Sequence, residues 1–269
     1  MPALSEDMFD RLAAFALQLV AGPDGLLREK FADPPRPEDK PGKMNAFDPV
    51  TAADRAAEAL MRDMIAEAWP GHAVRGEELA DAPAAGDFTW LIDPIDGTRA
   101  FLCGLPTWTV LAAVLHQGRP VIGACRQPLL GTSWLGTPAG AWRIGPDGAR
   151  AALRTRATGR LQDAFIGTTL PQLYDTPPRR RVLAALRGGA RQMLYDADAY
   201  FYCLLAEGRM DAVCDTQLAA HDIAALIPII NGAGGVVRDW RGRPDPLGGD
   251  VLAAANPALM DQLLAAIES

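Results

Sequence analysis

Five acidic residues occupy places where a carboxylate could do chemistry. Asp93 and Asp96 stand three apart in "WLIDPIDGTRAF" (90–101), at the end of the uncharged run Trp90-Leu91-Ile92. Glu77 follows Gly76 in "VRGEEL", Asp54 lies in "DPVTAADRAAE", and Asp222 stands second in "HDIAALIPI". Pro94 has no N–H and a fixed φ, so it is expected to turn the chain rather than extend the sheet. Asp93 and Asp96 can then converge with the Ile95 carbonyl between them, a hard oxygen site suited to Mg²⁺, with Mn²⁺ possible, rather than zinc. Gly97 permits close backbone approach. If a helix starts there, the N–H groups of Gly97 and Thr98 could hold a phosphate, and the Thr98 hydroxyl could orient a water. Singly, each feature has a plain reading: a solvated turn for Asp93 and Asp96, a charged loop for "GEE", helix caps for Asp54 and Asp222. Their joint occurrence points to a metal-dependent site.

These residues need elements to hold them. Apolar spacing predicts a helix over 5–20, and a second over 50–69 with Thr51 as N-cap and Asp54 at capping-box distance. The Pro-rich, charged stretch 32–49 is expected to be a loop. From 88 onward, "FTWLID", "WTVLAAVLH", "PVIGACRQP" and "GAWRIG" read as strands of a meander, with a tight turn at Gln117-Gly118. Beyond about 150 strands and helices alternate: strands at 164–170, 210–215, 235–240 and 250–255, and helices at 177–189, 198–208, 221–234 and 257–268. An α+β half (1–150) bearing most of the acids and an α/β half (151–269) bearing Asp222 are therefore expected.

Composition narrows the function classes. The 269 residues carry 26 Lys and Arg against 33 Asp and Glu, a formal charge of -7, which disfavours a nucleic-acid footprint or an anionic membrane surface. A small anionic substrate stays open, because metal ions invert the sign of an acidic site. The four cysteines show no C-x-x-C pair and the three histidines are scattered. Reduced thiols, no signal peptide and no membrane span make a cytoplasmic protein the expectation.

"GEE" (76–78), "WLIDPIDGTRAF" (90–101) and "HDIAALIPIINGAGG" (221–235), with Lys43 and "DPVTAADRAAE" upstream, resemble the signatures of the inositol monophosphatase superfamily of metal-dependent, lithium-sensitive phosphatases. The resemblance implies a layered α-β-α-β-α sandwich, a homodimer, and hydrolysis of a small phosphate monoester. It implies two to three Mg²⁺ ions on Glu77, Asp93, the Ile95 carbonyl, Asp96 and Asp222, with Asp54 an outer ligand acting through water. Thr98 and Glu77 would orient the attacking water, and Gly97 and Thr98 would donate to the phosphate. Within the superfamily, 93–136 looks most similar to the bacterial histidinol-phosphatase branch of histidine biosynthesis, through Gly-Leu-Pro-x-Trp, Gln-Pro and Trp-Leu-Gly. The implied substrate is histidinol phosphate, whose cationic end would meet Asp198 and Asp215, with Asp196 adding negative charge. Inositol 1-phosphate or another sugar phosphate is the alternative, and a regulatory or RNA-associated role the non-enzymatic one. The chain departs from the branch in three places. Asp196-Ala197-Asp198 replaces Gly-Gly-Asp, Arg126 stands where an acid is expected, and His221 replaces an aromatic residue. A packed ring or a proton relay would each account for His221.

Overall fold

A computed structural model describes residues 6–34, 36, 38–39, 49–82 and 86–268. Lys43 and Asp48, and hence the expectation that the loop 32–49 closes over the site, lie outside the described residues. Helices α1 (Glu6–Ala21), α2 (Asp24–Ala32) and α3 (Ala52–Ala68) come first, with the short pair β1 (Glu38–Asp39) and β2 (Pro49–Val50) between the last two. A seven-stranded sheet then runs in chain order: β3 (Ala73–Arg75), β4 (Phe88–Asp96), β5 (Thr109–His116), β6 (Arg119–Gln127), β7 (Thr132–Thr137), β8 (Gly140–Ile144) and β9 (Arg150–Ala152). It is the expected meander, except that β3 pairs parallel to β4. The five-residue helix α4 (Thr98–Leu102) follows β4, and β9 straddles the expected boundary at 150/151.

The second sheet has order β11-β10-β12-β14-β13. It is built from β10 (Phe165–Thr168), β11 (Gln192–Tyr195), β12 (Ala212–Leu218), β13 (Val236–Asp239) and β14 (Gly249–Ala254), with α5 (Pro177–Gly189), α6 (Asp198–Ala206), α7 (Ala220–Ile223), α8 (Leu226–Gly232) and α9 (Pro257–Glu268). The single helix expected over 221–234 is therefore two. The break before Leu226 places Pro228 in the first turn of α8, where its missing N–H costs nothing.

Three buried clusters make this a five-layer stack. Alternate residues of β4 point to opposite faces: Trp90 and Ile92 pack against α1 and α3, while Leu91 joins a middle core. That middle core lies between the two sheets and contains Ile223, Leu226, Ile229 and Phe201. The outer face of the second sheet carries Ile166, Cys214 and Leu252 against Leu186 of α5 and Leu263 of α9. The α-β-α-β-α order matches the implied sandwich. Close approach in the middle layer depends on two strand glycines. A Cβ on Gly123 would collide with the Ala225 backbone, and one on Gly136 with the backbone at Pro228 and Ile229. Without side chains there, Ala225 and α8 settle onto β6 and β7, and α7 lies on β4 and β5, bringing Asp222 beside β4.

A candidate metal centre

Strand β4 does not stop at Pro94, as its missing N–H suggests it should; it continues to Asp96 through a bulge. Asp93 lies opposite Leu111 and Asp96 opposite Thr109, so β4 holds one extra residue against β5. Pro94 sits inside that irregularity, where no ladder bond is lost. Asp93 closes its own turn, with Oδ1 accepting the Ile95 N–H at 3.1 Å. Asp96 Oδ2 accepts the Ala199 N–H of α6 at 2.8 Å and the Thr109 hydroxyl at 3.4 Å. The bulge thus aims both carboxylates to one side while the second sheet's helix grips one of them.

Asp222 completes the cluster from α7. It sits in the first turn rather than at the cap, and its Oδ2 accepts the Ala219 N–H at 2.7 Å. Asp93, Asp96 and Asp222 offer oxygens within 4.8 Å of one another. Asp93 is 1% exposed and Asp96 9%. Burial, then the neighbouring carboxylates, hold both acids well above the usual carboxylate range. For Asp93 those neighbours are Glu77, Asp96, Asp222 and Asp54. For Asp96 they are Asp198 and Asp222, opposed by the Ala199 hydrogen bond. Two like charges at such a separation repel by about 3 kcal/mol at an effective dielectric near 20. The cluster must therefore bind protons or cations, and an all-oxygen donor set fits a hard divalent ion.

Asp54 is 1% exposed and does double duty. Its Oδ2 accepts the Thr51 N–H at 2.8 Å and the Thr51 hydroxyl at 2.6 Å, the capping box read from the sequence. Its Oδ1 lies 3.5 Å from the Thr98 hydroxyl. Burial raises the Asp54 pKa and Glu77 adds to it, against the Thr51 bonds. Thr98 Oγ1 is 3.1 Å from the Ile95 carbonyl, so Thr98 sits among Asp54, Ile95 and the cluster. Gly97 has φ 85°, and a Cβ on it would come within 2.9 Å of Asp198 Oδ2. Only glycine serves that position.

Glu77 is half-buried in a loop organised by a residue that sequence reasoning missed. Glu58, fully buried on α3, accepts the Glu78 N–H at 2.7 Å, the Leu79 N–H at 3.1 Å and Arg62 Nε at 2.8 Å. A Cβ on Gly76 would collide with the Glu58 carboxylate. His221, read as a packed ring or a proton relay, sets its Nε2 3.3 Å from Asp222 Oδ1 and 3.9 Å from Glu77 Oε1.

The three acids expected at the substrate's far end separate. Asp198, half-buried at the start of α6, faces Gly97 and feels the charge of Arg99. Burial and then Asp215 push its pKa up to about 7, against Arg99 and a Thr169 hydrogen bond. Asp215 is 3% exposed and fully engaged. It accepts the Thr169 N–H at 2.7 Å, the Thr168 hydroxyl at 3.2 Å and the Tyr202 hydroxyl at 2.9 Å. Asp196 is exposed at φ 67°, a backbone region that glycine favours and Asp tolerates, which accounts for its standing where a glycine was expected. Arg126 is explained as well: it pairs with Asp24 of α2, Nε standing 3.1 Å from both carboxylate oxygens. Beside it Gln127 Nε2 donates to the Pro106 carbonyl at 3.1 Å, tying "Gln-Pro" to "Gly-Leu-Pro-x-Trp".

The model of the inositol monophosphatase family matches residues 8–269. The chain belongs to that family. It is 34% identical over 247 residues to the chloroplastic bifunctional phosphatase IMPL2 of Arabidopsis thaliana, covering 89% of this chain and 67% of that one. It is 32% identical over 251 residues to a histidinol-phosphatase of Mycobacterium tuberculosis, covering 93% and 95%. Among solved structures, an inositol monophosphatase from Zymomonas mobilis superposes with a TM-score of 0.84 at 33% identity, covering 97% of this chain and 99% of that one. This family of phosphatases acts on small phosphate monoesters and is generally metal-dependent. Among the described residues, no helix is long and apolar enough to cross a membrane.

Proposed function

We propose that the chain is a Mg²⁺-dependent histidinol-phosphatase. The observation that carries the chemistry is the convergence of Asp93, Asp96 and Asp222 within 4.8 Å in a largely buried setting. These three, with Glu77 and the Ile95 carbonyl, would hold two to three divalent ions, Asp54 acting as the outer ligand. When bound, such ions would supply an acidified water and charge to neutralise the leaving oxygen, on a reaction whose barrier must fall by about 20 kcal/mol or more. Thr98, between Asp54 Oδ1 and the Ile95 carbonyl, has one hydroxyl proton to donate and lone pairs that can accept from a water. Its donation to either oxygen orients those lone pairs, and Glu77 completes the water's fixing. Gly97 and Thr98 N–H groups, at the left-handed turn into α4, receive the phosphate. Asp198, facing Gly97, is placed to meet a cation carried by the same substrate.

Support for the substrate comes from that carboxylate and from the similarity to the Mycobacterium tuberculosis histidinol-phosphatase. Inositol 1-phosphate is the second reading, favoured by the structural likeness to the Zymomonas mobilis protein. A homodimer in a reducing, cytoplasmic compartment completes the proposal. All four cysteines being free accords with that compartment. The test is phosphate release from histidinol phosphate, inositol 1-phosphate and other esters, with Mg²⁺ or Mn²⁺ and with or without lithium. Preference for histidinol phosphate and inhibition by lithium are expected. A higher kcat/KM on inositol 1-phosphate would replace the substrate, and no turnover on any ester would end the enzymatic reading.

A further inference from the structure

On the outer layer of the second sheet a groove of about 380 Å³ lies between α5 and α9. Arg181, Val182 and Ala185 line it from α5, Ile267 and Glu268 from the last turn of α9, and Trp240 from the turn after β13. None of these residues belongs to the carboxylate site. The volume is at the small end for ligand sites, suited to a single amino acid or a simple aromatic molecule rather than a nucleotide. Tyr174, 2% exposed, stacks on the Trp240 ring at 6.0 Å between centroids and 22° between planes. The indole N–H donates to the Val251 carbonyl at 3.3 Å. The ring is therefore held in place with its donor already used, and what it offers the groove is aromatic surface, which suits another ring.

Charge narrows the ligand further. Of the four arginines of α5, three are committed: Arg179 pairs with Asp175 and Asp250 at 3.1 Å each, Arg180 donates to the Asp175 carbonyl, and Arg187 donates to the Tyr195 hydroxyl at 2.9 Å. Arg181 is the exception. Among the described residues its guanidinium has no hydrogen-bond or ion-pair partner, and neither has the Glu268 carboxylate. A cation and an anion thus share one groove without pairing with each other, and a ligand carrying both charges would satisfy each. We propose that this groove binds an aromatic α-amino acid, its ring against Trp240, its carboxylate on Arg181 and its ammonium on Glu268. The guanidinium fork matches a carboxylate, and a carboxylate accepts readily from an ammonium. Both protein charges are exposed, so each pair adds a factor of about three to five, and the ring contact supplies the rest.

Titration of the full chain with L-phenylalanine, followed by ligand-observed nuclear magnetic resonance, tests the site. Saturable binding with a Kd of about 2 mM or tighter is expected for a ligand of this size. Phenethylamine, which lacks the carboxylate, and 3-phenylpropionate, which lacks the ammonium, should each bind about three- to fivefold more weakly. Arg181→Gln should remove the advantage of phenylalanine over phenethylamine, and Glu268→Gln its advantage over 3-phenylpropionate. Both side chains are exposed, so both variants should keep the fold, which circular dichroism checks. No saturation by about 20 mM, ten times the expected Kd, would overturn the proposal. So would equal affinity for the three ligands, or affinities that both substitutions leave unchanged.

Discussion

At Asp93 a carboxylate sits enclosed among four others, and removing its charge should have opposite effects on activity and on metal-free stability. Asp93→Asn is expected to lower kcat more than about a hundredfold, a larger loss than displacing a mere partner of a metal ligand; phosphate release measures it, and retained turnover would end the metal role. The same variant should be more stable than wild type in EDTA, increasingly so as pH rises. Asp93 has its pKa raised in the fold, so above about pH 4, the unfolded value, the folded chain holds a proton that the unfolded chain has released. Wild-type stability therefore declines through the raised pKa, and the asparagine does not share the decline. A Tm gap that widens from pH 5 to 8 is the expected result, and a constant gap would count against the repulsion. Asp198 carries a prediction about recognition. Asp198→Ala should raise KM for histidinol phosphate about tenfold or more, the value of a charge-assisted hydrogen bond, and that for inositol 1-phosphate much less.

Among the elements, the loop bearing Glu77 depends on α3 through Glu58. Glu58→Ala removes the acceptor for two backbone N–H groups and should destabilise the protein by about 2 kcal/mol. It should also weaken metal binding although Glu58 lies outside the carboxylate cluster; a thermal melt and a metal titration report the two effects separately. This dependence also marks what the sequence could show. Thr51 and Asp54 were legible because a capping box is local, and the meander because a tight turn joins neighbouring strands. Nothing local marks Glu58, since its partners Glu78 and Leu79 come 20 and 21 residues later. Pro94 misled for a related reason: its missing N–H forbids an ordinary ladder position, and only the register of β5 reveals the bulge that excuses it. The three- to six-residue strands β3, β7, β9 and β11 escaped notice because runs so short carry little periodicity.

Across the whole molecule, the candidate site joins both sheets' structures: Asp93 and Asp96 come from β4, Asp222 from α7, and the Ala199 N–H of α6 holds Asp96. An ion bound there should stabilise the entire chain rather than one part. At a hundred times its Kd, an ion that binds only the folded state adds about 2.7 kcal/mol, which should raise Tm by about 5 °C or more. Calorimetry with and without Mg²⁺ should show one shifted transition, and the shift should vanish in Asp222→Asn. Two transitions of which one moves would contradict a shared site. The alternation of strands and helices showed an α/β half, the layer order followed only from the family resemblance, and the meeting point of the layers followed from neither. That rests on Gly123 and Gly136, whose bareness matters only once Ala225 and α8 lie on them.

The Arg126–Asp24 pair has a consequence for how such a chain can change over generations. Each residue is held chiefly by the other: Arg126 Nε reaches both oxygens of Asp24, with Arg28 3.7 Å away, in a partly buried setting where an unmatched charge is costly. Restoring an acid by Arg126→Glu alone would set two carboxylates against each other and should lower Tm, while adding Asp24→Arg should recover most of the loss. The route between the two arrangements is therefore a ridge with a valley on either side, crossed by a neutral residue at one position first. Substitutions borrowed from relatives, one at a time, should fail at this pair even where the catalytic residues are identical.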